Sequence, residues 1–192
     1  MQTERGAPLT GAEPSDPPST TADQPRARTR RVGLFVVVAV VVLVLDQVSK
    51  YLIVAHVADR APIRLLGGLL TITYTRNAGA AFSLGTGFTF IFTAVAVAVI
   101  VVIIRTARRL YSVAWAIALG ALLGGAVGNL MDRLFRAPGP GRGHVVDWIQ
   151  LPHFAVFNLA DSAITCAAVG MVLLSLLGRD IDGRHHRTDQ PA

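Results

Sequence analysis

The chain has little charge, few aromatic residues and almost no cysteine. Only 16% of its 192 residues are charged and 7% aromatic, against 52% apolar, and the single cysteine is Cys166. One cysteine excludes an internal disulfide, and in an apolar stretch with no neighbouring histidine it reads as a small packing residue. So little charge lies outside the pattern of ordinary soluble domains and makes a membrane protein the leading class. Acidic residues are scarcer than basic ones, 12 against 18, giving a net charge of +6. There is no basic helix with interleaved aromatics and no recognisable binding module, so nucleic acid is not an expected partner. His144 and His153 are nine apart in one loop with no further ligand cluster, and neither a metal nor another cofactor is expected.

Hydropathy organises what is present. Residues 1–31 hold five prolines, seven Ser or Thr and no aromatic, ending in "RARTRR"; such a segment cannot bury enough apolar area to order itself. Four apolar segments follow, at about 33–54, 88–104, 112–131 and 156–177. Each is near the length that crosses a hydrocarbon core of about 30 Å at about 1.5 Å per residue. The expected fold class is an all-α polytopic membrane protein with four transmembrane helices and a small extracytoplasmic β-containing cap. Its parts are a disordered cytoplasmic tail (1–31), a membrane domain (32–178) and a second cytoplasmic tail (179–192). Eleven of the eighteen basic residues fall in the tails and in the loop "RTARR", which puts both termini in the cytoplasm by the positive-inside rule. A cleaved signal peptide is the alternative for the first segment, but "DQVSKYLIV" continues the helix without a clear small-residue cleavage site.

Of the twelve acidic residues, Asp46, Asp132 and Asp161 fall within or at the edge of the spans. Given the orientation, all three converge on the outer part of the membrane. Ionisable groups there cost about 2.5–3.5 kcal/mol even on lenient scales and mark functional sites. "NLMD" (Asn129, Asp132) and "NLAD" (Asn158, Asp161) each set an asparagine three residues before an aspartate, a spacing that shares one helix face. A short outer loop makes the third and fourth helices antiparallel neighbours, so Asp132 and Asp161 are expected to approach as a dyad. Two close carboxylates share a proton and act as base and acid on a water attacking a carbonyl. A proton-coupled transporter is the rival reading, disfavoured because the polar groups gather toward one face rather than at the midplane.

Four motifs carry a resemblance: "DQVSK" (46–50), "NAGAAFS" (77–83), "GNLMDR" (128–133), and "VVDW" (145–148) followed by "FNLADS" (157–162). Together and in this order they resemble the lipoprotein signal peptidases, or signal peptidase II. The resemblance implies a four-helix aspartic endopeptidase of the bacterial plasma membrane, working toward its extracytoplasmic face. Its substrates would be diacylglyceryl-modified prolipoproteins, cleaved on the amino side of the modified cysteine. It implies dyad aspartates in the motifs matched by Asp132 and Asp161, with membrane lipids as surroundings; a monomer suffices for the chemistry. Asp46, Lys50, Asn77, Gly79, Asn129, Arg133, Asn158 and Asp147 are the candidates for substrate binding or support of the site.

Each support residue also has a structural reading. Asp46 and Lys50 are i, i+4 and fit a helix ion pair, and Arg133 fits a helix-end anchor. "LLTITYTR" (69–76) alternates as a strand does, and "HVVDWIQL" is a second β-prone run. These two runs are the expected cap, with Trp148 and Phe154 suited to the membrane interface. Between "GNLMDR" and "VVDW" stands "LFRAPGPGRGH", expected to be a flexible loop, longer than the family pattern requires.

Overall fold

A computed structural model describes residues 29–79 and 89–183. The expected amino tail up to residue 28, the carboxyl tail from 184, and residues 80–88, with most of "NAGAAFS", lie outside the described residues.

Four helices form the body: α1 (Val32–His56), α2 (Thr89–Thr106), α3 (Val113–Phe135) and α4 (Leu159–Leu176). All four are long and apolar enough to cross a membrane. Their polarity is inverted relative to a soluble bundle. On α1 the apolar Val36, Val37, Val40, Val41, Val44 and Val48 are exposed, whereas Phe35, Ala39, Asp46, Lys50 and Ile53 are buried. The buried set recurs at helical spacing, so a single inward stripe carries the charges. Lipid solvates the valine face as well as a protein core would, which leaves close packing and polar bonding to hold the helices together.

Packing on α3 depends on small residues. Its buried positions include Ala116, Gly120, Gly124, Gly125 and Gly128. A Cβ at Gly120 or Gly124 would meet the carbonyl oxygens of Phe35 or Ala39 on α1, and one at Gly125 would meet that of Ala160 on α4. Backbone contact of this kind draws α3 between α1 and α4, with α2 against its other side. α3 and α4 are thus neighbours, as their short connection predicts.

At the end bearing Arg105, Arg108 and Arg109, a cluster of Phe35, Ile103, Ala107, Leu110, Ala116 and Leu119 closes the bundle. The chain beyond α4 does not leave the fold at once. Ile181 O accepts the N–H groups of Tyr111 and Ser112 at 3.0 and 3.1 Å, and Trp115 Nε1 donates to Arg179 O at 2.7 Å. The folded unit therefore passes the expected boundary at residue 178.

The opposite end carries a three-stranded antiparallel sheet in the order β1 (Ile63–Leu65), β2 (Leu70–Asn77), β3 (Val145–Gln150). β2 and β3 are the two runs expected from alternation. β1 was not anticipated, since three residues are too few to show a period. Thr75 pairs with Asp147 and Asn77 with Val145, so the sheet register fixes Asp147 beside the end of β2. Trp148 packs with Ile53, Val57, Val146, Ile72 and Tyr74 rather than facing outward, whereas Phe154 is exposed.

The proline- and glycine-rich insertion is tied down, contrary to the flexible loop expected. Arg76 Nη2 donates to Ala137 O at 2.8 Å, Thr93 Oγ1 to Gly141 O at 2.8 Å, and Gly143 N to Arg133 O at 2.9 Å. Its carbonyls are satisfied by β2 and α2, which composition alone cannot reveal.

Candidate active site

The described polar groups of the four motifs meet where the ends of α1, α3 and α4 nearest the sheet reach β3. Asp46 and Lys50 share one face of α1, their distance 2.8 Å, and both are fully buried. Lys50 Nζ also lies 3.0 Å from Asp132 Oδ2, and Arg136 Nε lies 2.6 Å from Asp132 Oδ1. Asp46 Oδ1 accepts Ala160 N–H at 3.0 Å, tying α1 to the first turn of α4. Gln47 Nε2 bridges Asp46 Oδ2 and Gly128 O at 3.1 and 3.0 Å. The absence of a Cβ at Gly128 admits the Asp46 carboxylate.

The sequence led to Asp132 as the partner of Asp161, but the side chains make a different arrangement. Asp132 is buried with three donors: Lys50, Arg136 and the Val146 N–H at 3.1 Å. Two of them are cationic, so its charge is neutralised and its oxygens are occupied. The physical reason is the length of α3. The helix continues past the expected end at 131 to Phe135, so that Arg136, its C-cap, reaches back to Asp132 at i+4.

Asp161 and Asp147 are instead joined through Asn158. Asn158 is the N-cap of α4 and not a residue of the helix face, as the "NLAD" spacing had suggested, because the helix starts at 159 and not 156. Its Oδ1 accepts Asp161 N–H at 3.0 Å and its own N–H donates to Asp161 Oδ2 at 3.2 Å, a reciprocal capping box. Its Nδ2 donates to Asp147 Oδ1 at 2.6 Å. Asn129 Nδ2 donates to Asp161 Oδ1 at 2.8 Å. Asp147 Oδ2 accepts Asn77 Nδ2 at 2.8 Å, and Asn77 Oδ1 accepts Gly79 N–H at 2.8 Å. Gly79 has φ +111°, which other residues resist, and a Cβ there would strike the Phe92 ring.

Burial pushes the Asp147 carboxyl up to about 6, and the negative charge of Asp161 adds to this, against hydrogen bonds from Asn77 and Asn158 and the charge of Lys50. Arg133 faces the same acids, with Asp147, Asp161 and Asp132 all within electrostatic reach. Its guanidinium stacks 5.5 Å from the Phe92 ring centroid, and Nη1 is buried with no hydrogen-bond partner among the described residues. An arrangement with one carboxyl inclined to keep its proton, a second held by amide donors, and a spare cationic donor nearby suits acid–base work on a carbonyl.

All ten residues singled out in the sequence lie in this one polar cluster or against it. Sequence reasoning missed Gln47, Phe92 and Arg136. For Arg136 a signal existed, its i, i+4 spacing from Asp132; for Phe92, in an apolar helix, there was none. Among the described residues no group of three metal-ligand side chains gathers.

The chain is similar to known proteins over most of its length. The family model described as signal peptidase (SPase) II matches residues 38–177. The lipoprotein signal peptidase of Streptomyces coelicolor is 53% identical over 158 residues, covering 82% of this chain and 78% of its own. That of Mycobacterium avium is 46% identical over 179 residues, covering 92% and 98%. A solved bacterial membrane enzyme, determined by the in meso method at 1.9 Å, superposes with a TM-score of 0.69 at 27% identity, covering 78% of this chain and 96% of its own. The chain therefore belongs to the signal peptidase II family of membrane peptidases.

Proposed function

We propose that this protein is an aspartic endopeptidase that removes signal peptides from bacterial prolipoproteins, cleaving on the amino side of the diacylglyceryl-modified cysteine, with Asp147 and Asp161 as its dyad. The observation that carries this choice is Asn158, which hydrogen-bonds both carboxylates. Asp132, by contrast, is held among Lys50, Arg136 and Val146 N–H. Family membership supports the substrate class, and the names of the relatives, lipoprotein signal peptidases, point the same way.

In this mechanism Asp161, steadied by Asn129 Nδ2 and the Asn158 N–H, takes a proton from the attacking water. The water oxygen bonds to the scissile carbonyl carbon while the Asp147 proton passes to the carbonyl oxygen. The resulting diol collapses: the C–N bond breaks, the amine nitrogen takes the proton from Asp161, and Asp147 recovers its proton from a diol hydroxyl. Arg133 Nη1 is the donor left for a substrate carbonyl, and Asn77 with Gly79 shapes the wall beside Asp147. Asp132 serves as support: through Val146 N–H it fixes the start of β3 and so the position of Asp147. The positive-inside distribution supports a topology with both termini in the cytoplasm and the dyad toward the extracytoplasmic face. One chain contains every group the reaction uses.

The test is cleavage of a diacylglyceryl-modified prolipoprotein by purified protein, with Asp147→Asn, Asp161→Asn and Asp132→Asn compared at equal folded amount. The first two are expected to lose about a thousandfold or more in kcat with melting temperatures preserved. Asp132→Asn is expected to lose stability, since it strips Arg136 of its carboxylate and leaves Lys50 with Asp46 as its one carboxylate partner, while the molecules that fold retain more activity than either dyad variant. Normal turnover in Asp147→Asn would overturn this assignment in favour of the Asp132 and Asp161 pair expected from sequence.

A further inference from the structure

Lys50 is the sole lysine among eighteen basic residues, the other seventeen being arginine, and it has no solvent exposure. Its ammonium meets three acceptors: Asp46 Oδ2 at 2.8 Å, Asp132 Oδ2 at 3.0 Å and Asn129 Oδ1 at 3.0 Å. An ammonium has three N–H bonds radiating from one point, whereas a guanidinium presents a flat fork that cannot reach three acceptors from three sides. The place where this chain departs from arginine is therefore the place where a compact donor is required.

Charge balance alone does not account for the third bond. Arg136 already meets Asp132 Oδ1, so Asp46, Lys50, Asp132 and Arg136 make two acids and two bases. The bond to Asn129 lies outside that balance. A carboxamide accepts at one end and donates at the other. With Oδ1 held by Lys50 Nζ and also accepting Asn158 Nδ2 at 3.2 Å, the amide nitrogen of Asn129 must face Asp161, where it donates at 2.8 Å. The flipped amide would set NH₂ against an ammonium and an oxygen against a carboxylate, two repulsive contacts in a buried site.

We infer that Lys50 is a positioning residue of the dyad, acting through Asn129: by fixing the orientation of that amide it keeps a hydrogen-bond donor aimed at Asp161. The inference rests on the reading of Asp161 as a catalytic residue. It gives the buried ion cluster on α1 and α3 a line of action to the head of α4 that is separate from the one Asp132 makes to β3.

The experiment is a double-mutant cycle on cleavage of a synthetic prolipoprotein peptide bearing a dipalmitoylglyceryl cysteine, with folding of every variant checked by thermal melting in detergent. Lys50→Met and Asn129→Leu are each expected to lower kcat about ten- to a hundredfold with KM within about twofold. Because one acts through the other, the double variant is expected to be no more than about twofold slower than Asn129→Leu alone. Losses that multiply would overturn the relay and leave Lys50 with a purely structural role. If Lys50→Met does not accumulate, Asn129→Leu, which leaves the ion cluster intact, is read by itself: a reduced kcat supports the relay and an unchanged one overturns it. Asp161→Asn is run alongside. Full turnover in that variant would sink the dyad reading, whereas a dead Asp161→Asn with multiplying losses sinks the relay alone.

Discussion

Asp147 and Asp132 carry the same functional group, and their surroundings make them different. Burial, with the neighbouring Asp161 carboxylate, lifts Asp147 from an ordinary 3.8 to about 6 against the amide donors Asn77 and Asn158; Asp132 is clamped by two cations. A raised carboxyl favours its protonated form in the folded protein, so the stability it contributes is whole below about 3.8 and is lost as pH rises through about 6. On the proposed mechanism the same titration governs activity. With protonated Asp147 as the acid, kcat/KM is expected to fall as pH rises through about 6. The hydrogen bond from Asn77 favours the carboxylate, so Asn77→Ala is expected to move that falling limb to higher pH. A pH–rate profile of the two proteins checks this, and a limb moved downward would contradict it. Asp132 was visible in the sequence as a rare charge at the edge of a span and Asp147 only through the "VVDW" motif, but their environments were not, because a carboxylate's role depends on donors that arrive from other elements.

Among the elements, α3 matters most for the site, and its glycines set how closely it is approached. At Gly124 a Cβ would meet the Ala39 carbonyl oxygen and the Val42 side chain, so Gly124→Val must push α1 away. Forced overpacking costs about 1–3 kcal/mol. The expected outcome is a lower melting temperature together with lost activity, because α1 carries Asp46 and Lys50 into the cluster. A variant at Gly33, where added bulk meets nothing within 4 Å, is the control and is expected to behave as the parent. Helix existence was legible from hydropathy, and α1 at Val32–His56 nearly coincides with the expected 33–54. The functional ends were the poorly read part. The end of α3 was placed at the first charges, which a tertiary ion pair in fact holds inside the helix, and the start of α4 was placed before the asparagine that caps it.

For the whole molecule, the polar site lies at one end of a bundle whose other end is rimmed by arginine. If that arginine-rich end faces the cytoplasm, a reporter fused after residue 192 is expected to be active only in a cytoplasmic form, and a reporter active only after export would reverse the orientation. The proposed dyad chemistry needs no metal, so activity is expected to survive a chelator; loss restored by added zinc would count against it. The insertion between α3 and β3, anchored by Arg76 and Thr93, links the sheet and α2 to the loop that follows Arg136.

The sequence by itself determined the class, the number of spans and the inventory of polar residues, because lipid imposes length and hydropathy on any chain that crosses it. It also brought forward Asp46, Asp132 and Asp161, since each stands out against so apolar a background, while Asp147 came only with the "VVDW" motif. What it left open was which acids belong together. "NLMD" and "NLAD" look alike along the chain, but one lies within a helix whose next turn supplies Arg136, and the other begins a helix whose cap also holds Asp147 on a strand. Only tertiary structure brings β3 to α4 and Lys50 to Asp132 and so assigns each carboxylate its partners. Such pairings join residues far apart in sequence, where spacing carries no information.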